Sequence, residues 1–175
     1  MNRRLFLGLT LSALAAPVLA KRRSERSRVL SFHHLHTDDR ISVAYRVGDR
    51  YQRDGLRKLN HFLRDFRTGD TIPIDPQLFD LLHDIKVRLG DLDARFEVLS
   101  AYRSPSTNAM LRRTHHGVAK NSLHMTGQAI DIRFADLATR KIRDAALAVG
   151  RGGVGYYRRA DFVHVDTGHV RRWGA

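Results

Sequence analysis

The apolar residues of this chain change period several times, and each change marks an element. Val29 to His36 and Ile41 to Val47 alternate or cluster apolar and polar positions around Thr37-Asp38-Asp39-Arg40, which predicts a β-hairpin with a polar turn. Leu56, Leu59, Leu63 and Phe66 then recur every three or four residues, the stripe of a helix that starts near Asp54 and stops before Gly69. A second helix has Asp75 as N-cap, Pro76 in its first turn, apolar Leu78, Leu82, Ile85 and Leu89, and Gly90 as its stop. The two helices are expected to pack together on one side of a sheet.

Phe96 to Ala101 reads as a buried strand running into Tyr102-Arg103-Ser104-Pro105, and Ser106 to Arg113 as a short helix with a basic end. In residues 128–134 side chains alternate across a strand, so Ile130, Ile132 and Phe134 take one face while Asp131 and Arg133 take the other. Asp136 is placed as the cap of a further helix with Ala138, Ile142, Ala145 and Val149 on one face and Gly150 at its end. Gly152, Gly153 and Gly155 come after that helix and have none behind them, which argues against a nucleotide loop; they let Tyr156 and Tyr157 enter a strand. In the last strand Val163 and Val165 go to the core, and Phe162, His164 and Asp166 face the other way. The fold class is α+β, a small, mostly antiparallel sheet with helices packed on one side.

Composition narrows the chemistry. At 175 residues and 42% hydrophobic, the chain supports one domain with a proper core. It has no cysteine, so a transition metal would be held by nitrogen and oxygen alone. Arg3-Arg4 before a short apolar run, closing at Val18-Leu19-Ala20, predicts a signal peptide over residues 1–20, and the pair followed by Phe6-Leu7 resembles a twin-arginine export signal. Residues 21–28 are a basic, solvated linker, leaving 29–175 as the domain. Removing residues 1–20, with two arginines and no acid, takes the formal charge from +13 to +11. Such a charge favours polyanions, and for an exported, periplasmic protein without stable membrane insertion these are peptidoglycan and anionic envelope lipids rather than nucleic acid.

Two short segments hold the candidate chemistry. If the strands bearing Asp131 and His164 are neighbours, His164 and Asp166 look onto the same side as Asp131, and His124 reaches in from the loop just before. A catalytic zinc takes three protein ligands and keeps a fourth position for water, a set that His124, Asp131 and His164 supply. Asp166 or a backbone oxygen is then free to accept from the second ring nitrogen of a ligating histidine.

Ser122-x-His124-x-x-Gly127-x-Ala129-x-Asp131, the distal Asp161-x-x-His164, and Leu99-Ser100-Ala101-Tyr102-Arg103-Ser104 upstream resemble, in this order, the zinc peptidases of the D-alanyl-D-alanine peptidase family. That family shares its fold with the hedgehog signalling domain, and within it the chain looks closest to exported murein endopeptidases. The resemblance implies Zn2+ on His124, Asp131 and His164, with Arg103 steadying the carbonyl oxygen as it gains charge and Asp161 as the general base. Regular alternation puts Asp161 on the face opposite His164, so either a bulge turns it inward or Asp166, the alternative base and partner of His164, takes part. Ser122 either binds substrate or shapes its turn.

The activity so implied is hydrolysis of peptidoglycan stem or cross-bridge peptides, with Arg112, Arg113, Arg133 and Arg158 as candidate holders of substrate carboxylates. His33, His34 and His36 read as exposed hairpin residues, and Phe162 and Trp173 as packing residues outside the site. Two rivals stand beside this reading, a zinc-containing binding module of the same fold without turnover and a basic nucleic-acid-binding protein.

Overall fold

The computed structural model describes residues 27–115 and 117–174. The signal call over 1–20, most of the linker and His116 lie outside the described residues.

The elements in chain order are β1 (Ser27–His34), β2 (Arg40–Val47), β3 (Arg50–Tyr51), α1 (Arg53–Phe62), α2 (Pro76–Leu89), β4 (Arg95–Ser100), α3 (Pro105–Thr114), a 3-10 turn (Leu123–Thr126), β5 (Ala129–Arg133), α4 (Thr139–Val149), β6 (Gly153–Tyr157), β7 (Phe162–Asp166) and β8 (Arg171–Trp173). They build the α+β fold expected, with one eight-stranded sheet in the order β3-β2-β1-β4-β5-β7-β6-β8. Hairpin-like connections make most neighbours antiparallel. β4 runs parallel to β1, since the intervening chain crosses over through α1 and α2, and β8 runs parallel to β6.

The alternating strands bury one face. Leu30, Phe32, Phe96, Val98, Ile130, Ile132, Val163 and Val165 meet Leu59, Phe62, Leu78, Leu82, Ile85 and Ile142 from the helices. α1 lies on β2, whereas α2 packs chiefly on α4, so the two early helices share a side of the sheet without being main partners. The opposite face carries Asp131, Arg133, His164 and Asp166.

Helix signals hold where capping chemistry is complete. Asp75 accepts from the Gln77 N–H, Pro76 opens α2, and Gly90 closes it at φ 73°. α1 ends early, at Phe62, because Asp65 folds the chain into a turn: its N–H donates to the Asp70 carbonyl and its own carbonyl accepts from Gly69. Phe66 therefore leaves the helical stripe and stacks on His36 at 4.4 Å. Asp136 does not cap α4, which starts after Ala138, and the Thr139 hydroxyl there donates to Asp161. β1 begins at Ser27, two residues inside the expected linker, because Arg28 reaches Asp80 of α2 at 3.1 Å. His34 is not an exposed hairpin residue either; it shares the core face with Leu30 and Phe32 and is 1% exposed.

Candidate metal centre

β5 and β7 are direct neighbours, and Asp131 is paired with His164 across them. His124 arrives from the 3-10 turn, which Ser122 starts by accepting from the His124 N–H at 3.3 Å. Gly127 ends that turn at φ 70°, where a Cβ would sit 2.7 Å from the Pro73 carbonyl oxygen, so the backbone there requires glycine. These local constraints bring His164 Nδ1 to 2.8 Å from Asp131 Oδ1 and 3.1 Å from His124 Nε2, with His124 Nε2 3.3 Å from Asp131 Oδ1.

The outer contacts fix the protons. His124 Nδ1 donates to the Ala101 carbonyl at 2.6 Å, since a carbonyl oxygen can only accept, and this turns the Nε2 lone pair inward. His164 Nε2 donates to Asp166 at 3.0 Å, which turns its Nδ1 inward too. When both rings are neutral, the form in which imidazole binds metal, two nitrogen lone pairs and a carboxylate oxygen converge within 4.8 Å of one another without a donor between them. A cation relieves that repulsion, and an all nitrogen and oxygen set of this kind suits zinc.

Charge follows the same geometry. Burial pushes His124 below the ordinary imidazole range. Burial works the same way on His164, but hydrogen bonds to Asp131 and Asp166 and their charges outweigh it and raise the ring to about 9. Burial alone would raise Asp131, yet the two histidines hold its carboxyl well below the usual range.

Asp166 is fully buried and committed. Besides His164 it accepts from the Gly153 and Gly168 N–H groups and from both terminal nitrogens of Arg171, at 2.6 to 3.0 Å. These bonds overcome its burial and keep it strongly acidic. It orients His164.

The centre forms part of the floor of a cleft of about 640 Å3, whose walls include Arg67, Arg103, Leu111, Ser122, Tyr157 and Trp173. The family model described as "Peptidoglycan L,D-endopeptidase MepK" matches residues 22–173. The chain belongs to the MepK peptidase family. It is 43% identical over 177 residues to the peptidoglycan L,D-endopeptidase MepK of Escherichia coli K12, covering 98% of this chain and 97% of that one. It is 41% identical over 167 residues to the probable peptidoglycan L,D-endopeptidase MepK of Haemophilus influenzae, covering 95% and 90%. No solved structure matches.

Within this MepK-family chain, Arg103 enters the cleft with its backbone N–H on the His124 carbonyl; its buried Nε has no hydrogen-bond partner among the described residues, and burial lowers its pKa. Asp161 departs from the sequence reading. It precedes β7 at φ 52°, so strand alternation does not set its direction, and its carboxylate meets the Thr139 hydroxyl at 2.9 Å and Arg133 at 3.5 Å. It does not line the cleft, although Ala160 and Phe162 on either side do. The inward bulge is absent, and Asp166, 0% exposed, has both carboxylate oxygens engaged by His164, Arg171, Gly153 and Gly168.

Sequence reasoning missed β8 and its two side chains. Gly155 pairs with His164 on one side and Trp173 on the other, so Asp131, His164, Gly155 and Trp173 form one row across four strands. Because Gly155 has no side chain, the Trp173 ring leans across it to 5.2 Å from His164. Gly153 does the same for Arg171, which crosses it to Asp166. The Gly-x-Gly spacing was the available signal, and Trp173 and Phe162 belong to the cleft wall.

Proposed function

We propose that this protein is an exported zinc peptidase that hydrolyses peptide bonds of peptidoglycan, acting as an L,D-endopeptidase, the activity that the names of its relatives state. The observation that carries this reading is the convergence of His124 Nε2, Asp131 Oδ1 and His164 Nδ1, with both histidine rings oriented by outer contacts, on the floor of an open cleft. Zinc held there would act as a Lewis acid and lower the pKa of a coordinated water to about 7.

The chain's own residues supply the rest. Arg103, desolvated and with its buried Nε unpaired among the described residues, is assigned to the oxygen of the scissile carbonyl, where a charged donor is worth about 3 kcal/mol in the transition state. Asp161 is assigned as the base that takes a proton from the attacking water and returns it to the leaving amine, after its side chain leaves Thr139. Ser122 caps the turn of His124 and lines the cleft, and its hydroxyl is assigned a hydrogen bond to substrate. Export is proposed through the twin-arginine-type signal over residues 1–20, with the periplasm as destination; among the described residues no helix is long and apolar enough to cross a membrane.

The test is digestion of purified peptidoglycan by the mature protein, with fragments identified by mass spectrometry. Cleavage is expected to stop with a chelator, return with zinc, and vanish in His124→Ala together with the bound metal. Activity that survives that substitution sinks the mechanism.

A further inference from the structure

Of the arginines that the sequence offered for substrate carboxylates, Arg112, Arg113, Arg133 and Arg158 all lie off the cleft wall, and Arg133 is committed to Glu97 at 2.8 Å. Arg67 stands on the wall of the same cleft as Arg103 instead. Its guanidinium makes no hydrogen bond or ion pair with any described side chain; it lies over the Phe66 ring at 4.2 Å, and Phe66 is itself stacked on His36.

The scaffold behind the two arginines is built. Asp65, 1% exposed, accepts from the Arg67 N–H at 3.0 Å with one carboxylate oxygen and from the Ser104 N–H at 2.8 Å with the other. The Tyr102 N–H donates to the Leu63 carbonyl, and the Arg103 N–H to that of His124. One buried carboxylate and these bonds tie the segment of Arg67, the segment of Arg103 and the turn of His124 together. The two guanidinium charges act on each other, and the Arg67 charge is one of the influences that lower the pKa of Arg103. Two cations on one cleft, one of them with a buried orphan donor, repel each other, and an anion between or beside them relieves that repulsion.

We infer that Arg67 is a specificity-determining residue that, beside Arg103, binds a free carboxylate of the peptide substrate next to the scissile bond. The inference rests on the peptidase reading of the same cleft. It assigns Arg67 the recognition of acid over amide and leaves the bond-breaking step to the groups already described. Amidation of that carboxylate removes the charge and with it the charge-assisted pair.

The test uses the zinc-loaded mature protein and two synthetic cross-link peptides that differ only in a free or amidated carboxylate beside the scissile bond. The wild type is expected to prefer the acid in kcat/KM by about tenfold or more, the scale of one charge-assisted hydrogen bond. Arg67→Gln is expected to bring that ratio close to one through the KM of the acid peptide, and Arg67→Lys to keep part of it. Binding of the acid and amide forms of the cleavage product is titrated in parallel, and zinc content and thermal unfolding show that each variant is folded. An acid-to-amide ratio in Arg67→Gln equal to that of the wild type, in turnover and in product binding, overturns the inference. A wild type that cleaves neither peptide sinks the peptidase reading instead, and the product titration then decides the role of Arg67 by itself.

Discussion

Asp161 and Asp166 are five residues apart and differ in every physical respect. Asp166 is sealed in, saturated with donors and tied to His164, a proposed metal ligand, so replacing it is expected to weaken metal binding. Asp166→Asn is predicted to weaken zinc binding about 10- to 100-fold, read by competition with a chromogenic chelator. Asp161, exposed at the turn into β7, touches none of the proposed ligands, so Asp161→Asn is predicted to lower kcat by two orders of magnitude or so at unchanged zinc content. Full turnover by Asp161→Asn would remove it from the reaction. A strand period of two was enough to put Asp131, His164 and Asp166 on one face and the valines on the other. It was silent on Asp161, because a left-handed backbone at the strand's entry breaks the alternation that such reasoning relies on. Periodicity also misplaced His34, whose ring packs against Phe62 and Phe66 and accepts the His36 N–H at Nδ1. Burial foremost, with the His36 and Arg64 charges, lowers its pKa from 6.5 to about 4. The unfolded chain therefore binds a proton that the folded one refuses between pH 6.5 and 4. Stability from this group is full above 6.5 and is lost as pH falls through that window, by about 2 kcal/mol between pH 7 and pH 5 at 1.4 kcal/mol per unit. Urea unfolding at the two pH values is expected to show a fall smaller by that amount in His34→Leu than in the wild type.

At the scale of elements, the site depends on a strand that carries neither ligands nor base. β8 docks parallel to β6, and the glycines at 153 and 155 leave two gaps through which Arg171 and Trp173 reach β7. α2 and the hairpin were legible because their signals are local: an N-cap with proline after it, a left-handed glycine, a polar turn between alternating segments. β8 was not, since three residues have too short a pattern to register, and its pairing is settled by what β6 lacks. The end of α1 was equally hidden, because the turn at Asp65 is held by partners in α3's cap that are distant in sequence. The dependence on β6 can be tested directly. A Cβ at Gly155 would lie 2.5 Å from carbons of the Trp173 indole, and a rigid ring must move as a whole. Gly155→Ala is predicted to cost about 1 to 3 kcal/mol of stability as overpacking and to lower kcat/KM, because Trp173 loses its place against His164. Trp173 is the sole tryptophan, so its fluorescence reports the displacement; an unshifted emission spectrum with full activity would show that the ring tolerates the methyl group.

The whole molecule adds a long-range field to this local chemistry. Thirty-one lysines and arginines against eighteen acids leave a large positive excess, and among the described residues only Arg67, Arg103 and Arg171 of these cations line the cleft. The contribution of the others belongs to approach: an insoluble mesh with free carboxylates draws a basic enzyme to its surface, and attraction between exposed charges fades beyond the Debye length. That length is about 8 Å at 0.15 M salt and about 3 Å at 1 M, so raising salt should strip the distant charges of influence. A carboxylate held in direct contact by Arg67 on the cleft wall lies inside either length, so it should be screened far less. The predicted result is that cosedimentation with purified peptidoglycan falls steeply from 0.05 to 1 M sodium chloride, while kcat/KM for a short soluble peptide falls only modestly. Equal salt sensitivity of the two would place the charge effect inside the cleft, and insensitivity of both would mean that the basic surface plays no part in finding the wall.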